Sequence, residues 1–150
     1  MLTGGKFSAT RAARWFHTGE IFAGLSETTS GAAREAMRTA KENGAVVSYD
    51  LNYRDSLWSE RGGREAANAL NQELLPFADV VFGVENFKAA FSGYAEENFR
   101  RAGGDLIERF PNLQIAATTL RDVHSASRHS LSAVCFADGE IFKADDFADV

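Results

Sequence analysis

The densest chemistry in this 150-residue chain lies in one short run, Asp50-Leu51-Asn52-Tyr53-Arg54, which follows the apolar stretch Val46-Val47-Ser48-Tyr49. Arginine presents a planar fork of donors that matches a carboxylate at two points, and Asp and Asn supply directional partners for hydroxyls. Open α/β sheets bind ligands beyond the carboxyl ends of their strands. Delivered together at such an end, Asp50, Asn52 and Arg54 are candidate substrate-binding residues for a small sugar acid. The same spacing also fits an Asp-Asn turn that leaves Arg54 on the surface.

Other reactive residue types are sparse. Cys135 is the only cysteine, so an intrachain disulfide and a cysteine-based zinc site are both excluded. Its neighbours Ala133, Val134 and Phe136 suggest a small buried hydrophobe rather than a reactive thiol. The three histidines are scattered: His17 falls in an apolar run and reads as a packed core residue, whereas His124 and His129 fall in a polar connection. No Gly-x-Ser-x-Gly elbow, Gly-x-Gly-x-x-Gly fingerprint or Gly-Lys-Ser/Thr phosphate loop occurs.

These residues must be positioned by a core, and the composition supplies one. The chain is 45% hydrophobic, which suits one globular domain that buries roughly two thirds of its unfolded surface. The net charge of -5 is uneven: residues 76 to 150 hold twelve acidic against seven basic side chains, while residues 1 to 75 hold nine of each. An acidic half argues against a nucleic-acid surface. No apolar run reaches membrane-span length and the first residues lack a signal-peptide core, so the expectation is a cytoplasmic protein without a membrane partner.

A strand-helix unit recurs about every thirty residues, as in successive βα pairs. Short apolar runs at Trp15 to Thr18, Ala45 to Asp50, Asp79 to Phe82 and Leu113 to Thr118 predict parallel strands covered on both faces. Between the first two, Ser26 is a helix cap, Ala32, Ala33, Ala36, Met37 and Ala40 form an apolar stripe, and Asn43-Gly44 is the stop. A second helix follows Gly62-Gly63 with Ala66, Leu70 and Leu74 facing inward and ends near Pro76. Further helical segments are predicted from Glu85 to Phe91 and around Leu106 to Phe110, before Pro111. Leu131 to Ala137 and Glu140 to Lys143, joined by Asp138-Gly139, predict an antiparallel hairpin. No finishing element follows it, so the sheet is expected to continue beyond these residues, leaving an apolar edge at Trp15 to Thr18 that favours self-association or a homo-oligomer.

Trp15-Phe16-His17-Thr18-Gly19, Asp50-Leu51-Asn52-Tyr53-Arg54 with Leu57-Trp58, and Ala117-Thr118-Thr119-Leu120-Arg121 with Ser125-Ala126-Ser127 together resemble the middle of a ribokinase-like (PfkB family) carbohydrate kinase, in particular 2-dehydro-3-deoxygluconate kinases. The resemblance implies a three-layer α/β/α, Rossmann-like parallel sheet with helices on both faces and a C-terminal antiparallel hairpin, with residues 1–150 forming the central part of one incomplete domain. It also implies transfer of a phosphoryl group from ATP, with Mg2+, to a sugar-acid hydroxyl. Arg54 would then grip the substrate carboxylate and Asp50 and Asn52 would line its pocket. Thr119 and Arg121 would stand at a strand-end turn against the nucleotide, and Glu85 would serve metal and phosphate.

Departures from the family pattern are equally specific. An Asn-x-x-Glu element is expected after the third strand, where this chain reads Gly83-Val84-Glu85-Asn86-Phe87. Glu20 replaces a small residue after Thr18-Gly19, placing a charge beside the pocket or at the start of the next segment. The N-terminal lid and sugar region and the C-terminal Gly-x-Gly-Asp turn, which carries the base and the anion hole, are not among these residues, so no catalytic base is assigned and the 150 residues alone are expected to be inactive. Gly103-Gly104-Asp105 resembles that turn only superficially. Two other functions compete: a non-catalytic remnant that binds a sugar acid or nucleotide, and half of a (βα)8 barrel of aldolase type. The predicted hairpin counts against the barrel.

Overall fold

A computed structural model describes residues 13–84 and 92–148. They fall into two compact units, Met1–Asp79 and Val80–Val150.

The first unit is built on two parallel strands, β1 (Trp15–Gly19) and β2 (Val46–Asp50), in register from Trp15 opposite Val46 to Gly19 opposite Asp50. The connection between them holds α1 (Glu20–Ala23) and α2 (Glu27–Glu42). Ser26 caps α2 as expected: Thr29 donates its amide to Ser26 Oγ at 3.1 Å and accepts the Ser26 amide on Oγ1 at 2.8 Å, so two orphan donors of the first turn are satisfied reciprocally. Ala33, Ala36, Met37 and Ala40 are buried, and Gly44 has φ +78°, the left-handed stop that glycine reaches without cost.

After β2 come α3 (Asp55–Trp58) and α4 (Gly63–Leu74), closed by a 3-10 turn at Leu75–Phe77. The inward face of α4 differs from the expected Ala66, Leu70 and Leu74. Ala67, Asn71 and Leu74 are the buried residues, so a polar side chain occupies the middle of the stripe.

The side chains of Trp15 and His17 lie on the opposite face of this unit from Val47 and Tyr49, because alternate strand residues point to opposite faces. Val47 and Tyr49 are fully buried, whereas Trp15 is 53% exposed and His17 is exposed too. This corrects the expectation that β1 is covered on both faces and that His17 is a core residue.

The second unit contains β3 (Val80–Phe82), α5 (Glu96–Arg109), β4 (Ile115–Ser125), β5 (Arg128–Ala137) and β6 (Glu140–Lys143). β3 and β4 are parallel, and β4, β5 and β6 pair antiparallel in succession. Asp138 and Gly139 have φ of +51° and +80°, the two left-handed residues of a tight hairpin turn. α5 buries Phe99, Gly103 and Leu106, and each large apolar side chain so buried contributes about 1.5–3 kcal/mol. A side chain at Gly103 would meet Phe136 Cβ at 3.1 Å. Gly103-Gly104-Asp105 is therefore helix interior packed on β5, not a phosphate-binding turn.

Two expectations for this unit are corrected. β4 does not end at Thr118: it runs to Ser125 and pairs with β5 through to Arg128, with a bulge between Val123 and Ser125. His124 and His129 accordingly stand in strands rather than in a polar connection. Cys135 is half-buried on β5 rather than sealed in the core. The helix expected from Glu85 to Phe91 lies outside the described residues.

Candidate functional site

The carboxyl end of β2 carries the residues singled out from the sequence. Asp50 closes the strand, half-buried, and burial pushes its carboxyl above the ordinary carboxylate range, while the facing His17 ring and a hydrogen bond with the Asn52 side chain pull it back. Asp50 and Asn52 thus stand close together at the strand end. Arg54 follows as the residue that caps α3, exposed to solvent, its carbonyl accepting the amides of Leu57 and Trp58. On the open face behind them the Ser48 hydroxyl accepts from Trp15 Nε1 at 2.8 Å and lies 2.8 Å from His17 Nδ1.

A second cluster at the same strand ends escaped the sequence reading except as an oddity at Glu20. Glu20 is 1% exposed, directly after β1, and is drawn into the core instead of standing as a surface charge. Asn71 of α4 donates from Nδ2 to Glu20 Oε2 at 2.9 Å and accepts the Tyr49 hydroxyl on Oδ1 at 2.8 Å. Glu20 Oε1 and the Trp58 indole N–H are buried without hydrogen-bond partners. Desolvation raises the Glu20 carboxyl above its ordinary value, and the Asp50 charge adds to this against the lowering effects of the Asn71 hydrogen bond and the Arg64 charge. The Tyr49 hydroxyl is also raised, by burial and then by the charges of Glu20 and Asp50.

The rim of this site is aromatic and basic. The Arg64 guanidinium stacks 3.9 Å above the Tyr53 ring, a cation–π contact that fixes both groups. Gly24 lies so close to Trp58 that a Cβ there would stand 2.7 Å from the indole, which is why no larger residue fits. The signal available in the sequence was an acidic residue directly after an apolar strand and an Asn set between Leu70 and Leu74. Both look like surface positions until the register is known.

In the second unit Thr119 and Arg121 stand two residues apart on β4, hence on one face, and both are exposed. Arg121 Nη2 lies 3.2 Å from His129 Nδ1 on β5. The structure places them within a paired strand and not at a strand-end turn, because the β4–β5 ladder continues past them. Glu85 lies outside the described residues. Among the described residues no group of three or more His, Cys, Asp or Glu is placed to hold a metal ion, and no helix is long and apolar enough to cross a membrane.

Comparison with known proteins defines the class. No family model matches the chain. A PfkB-family carbohydrate kinase of Listeria grayi superposes with a TM-score of 0.77 at 30% identity, over 92% of this chain and 42% of that one. The 2-dehydro-3-deoxygluconokinase of Thermotoga maritima gives 0.77 at 25% identity, over 90% and 41%. A 2-dehydro-3-deoxygalactonokinase of Haloferax volcanii is 39% identical over 70 residues, 47% of this chain and 21% of that protein. The chain therefore spans about a fifth of the curated relative and about two fifths of the two solved kinases.

The fold is ribokinase-like α/β, with parallel strands followed by an antiparallel hairpin. Within that fold the likeness is to PfkB-family carbohydrate kinases, kinases of 2-dehydro-3-deoxy sugar acids among them.

Proposed function

We propose that this chain forms the sugar-acid-binding part of an ATP-dependent kinase that phosphorylates a hydroxyl of a 2-dehydro-3-deoxy sugar acid such as 2-dehydro-3-deoxygluconate. The observation that carries this reading is the grouping of Asp50, Asn52 and an exposed Arg54 at the carboxyl end of a parallel strand, in a fold shared with sugar-acid kinases. Arg54 pairs with the substrate carboxylate in a two-point contact. Asp50 and Asn52 hold its hydroxyls and fix its orientation, which converts binding into alignment for an in-line transfer.

ATP with Mg2+ supplies the phosphoryl group when bound. Of the described residues, Thr119 and Arg121 offer a hydroxyl and a guanidinium to the nucleotide. No step is assigned to the metal, because Glu85, the residue proposed for it, lies outside the described residues. A cytoplasmic setting, where ATP is abundant, and association at β1, where Trp15 is exposed on one face, belong to the same reading. The antiparallel β4–β5–β6 order lends no support to a parallel eight-stranded barrel.

A coupled ADP-release assay tests the proposal. The 150 residues alone are expected to show no turnover, since no base or anion hole is identified in them and these groups provide most transition-state stabilisation. The same residues in a chain extended to the length of the matched kinases are expected to phosphorylate 2-dehydro-3-deoxygluconate. An extended, folded chain that turns over no 2-dehydro-3-deoxy sugar acid would defeat the reading.

A further inference from the structure

We propose that Glu20 is the positioning residue for the strand-end segment Asp50–Arg54: its buried carboxyl, tied through Asn71 to Tyr49, locks α4 against the end of β2 and so sets where Asn52, Tyr53 and Arg54 stand. The inference rests on the reading of that segment as the sugar-acid pocket, but its geometry is independent of any ligand.

Three aromatic residues mark the segment: Tyr49 and Tyr53 are held by the Glu20 cluster and by α4, and Trp58 packs against Gly24. At its start the Tyr49 hydroxyl donates to Asn71 Oδ1, and Asn71 Nδ2 donates to Glu20 Oε2, at 2.8 and 2.9 Å. In its middle the Tyr53 ring is clamped beneath Arg64 of α4 at 3.9 Å, and its hydroxyl donates to Asp55 Oδ1 at 3.2 Å. At its far end Trp58 is buried against Gly24, one residue past the helix that Glu20 begins, with its indole N–H unpaired. Arg54 lies between the second and third anchors. A change at Glu20 therefore reaches it through two fixed rings and one hydrogen-bonded amide.

The direction of the chain of hydrogen bonds matters. A carboxylate can only accept, so an ionised Glu20 forces the Asn71 amide to present its nitrogen to Glu20 and its oxygen to the Tyr49 hydroxyl. Protonation removes that constraint. The charges facing Glu20 are Asp50 of β2, which disfavours its ionisation, and Arg64 of α4, which favours it; the Asn71 amide donates to the carboxylate and favours the charged form as well. The Tyr49 and Tyr53 hydroxyls feel the Glu20 charge in turn.

The test uses the chain as it exists. Amide signals of residues 50–54 in 1H–15N spectra, followed from acid to neutral pH, are expected to show two titration steps, one from Asp50 and one from Glu20. Glu20→Gln should abolish the second step and keep the first. Tyr49→Phe, which removes only the hydroxyl that orients Asn71, should move the midpoint of that same step. Both steps retained unchanged in Glu20→Gln, or a midpoint unmoved by Tyr49→Phe, would overturn the positioning role.

Titration with 2-dehydro-3-deoxygluconate in the same spectra separates this inference from the functional reading. Positioning predicts that Glu20→Gln weakens sugar-acid binding about 10- to 100-fold, the scale of a misplaced binding group, without changing ATP binding. A wild-type chain that binds no sugar acid but loses the second step in Glu20→Gln would refute the pocket and keep the lock.

Discussion

Asn71→Ala is the sharpest probe of how the site is held, because one truncation strands two groups. Asn71 is 3% exposed and, among the described residues, bonds both the Tyr49 hydroxyl and the Glu20 carboxylate. Losing the partner of a buried neutral hydroxyl costs about 1–3 kcal/mol, and losing a bond to an ionised carboxylate about 1.5–3 kcal/mol. The two add to about 2.5–6 kcal/mol, a large share of the roughly 5–15 kcal/mol that stabilises an ordinary domain.

The carboxylate part has a sign. Glu20 is raised above its ordinary value, so its neutral form dominates at acid pH and the charged form only above the raised value; the penalty of Asn71→Ala must grow as pH rises through that point. Both tryptophans, Trp15 and Trp58, lie in the first unit, so urea unfolding followed by tryptophan fluorescence reports that unit. A penalty below about 0.5 kcal/mol, within the range of ordinary surface substitutions, or one that is the same at acid and neutral pH, would refute the reasoning.

Two further outcomes follow from other parts of the first unit. Ser26→Ala removes the side chain that accepts the Thr29 amide and is expected to lower stability by about 1 kcal/mol, the usual value of such a cap, in the same fluorescence assay. Asp79→Ala deprives the buried Val47 amide of its acceptor at 2.9 Å and Lys41 of its partner; stranding that amide should cost about 1–3 kcal/mol and show as faster hydrogen exchange at Val47, while unchanged exchange would contradict it.

The sequence was legible where a local signal has one physical meaning. Ser26 before a four-residue apolar repeat, Asn43-Gly44 after it, and Asp138-Gly139 between two apolar runs each call for one backbone geometry, and the structure has it. The extension of β4 through Arg121, Asp122 and His124 was hidden because alternate residues of that ladder face solvent, so it reads as a polar connection. The family resemblance had implied a strand-end turn at Thr119 and Arg121, where the ladder in fact continues. α4 was misjudged by one position, since Leu70 and Asn71 compete for the inward face and tertiary pairing with Tyr49 and Glu20 settles it for the polar residue. His17 was expected inside because apolar runs do not reveal which face the helices cover. Asp50, Asn52 and Arg54 could be found because they are contiguous. The Glu20–Asn71–Tyr49 cluster could not, because its members are up to 51 residues apart.

The most direct measurement of the central claim is steady-state kinetics of Arg54→Ala in a chain extended to the length of the matched kinases, with each substrate varied in turn. The account predicts a sugar-acid KM raised by the equivalent of about 2–5 kcal/mol, the cost of unpairing a desolvated charge, with the ATP KM unchanged; Thr119→Val should instead weaken ATP by the equivalent of about 1 kcal/mol, one neutral hydrogen bond. An Arg54→Ala enzyme whose ATP KM shifts while its sugar-acid KM stays put would contradict the claim that the end of β2 holds the sugar acid.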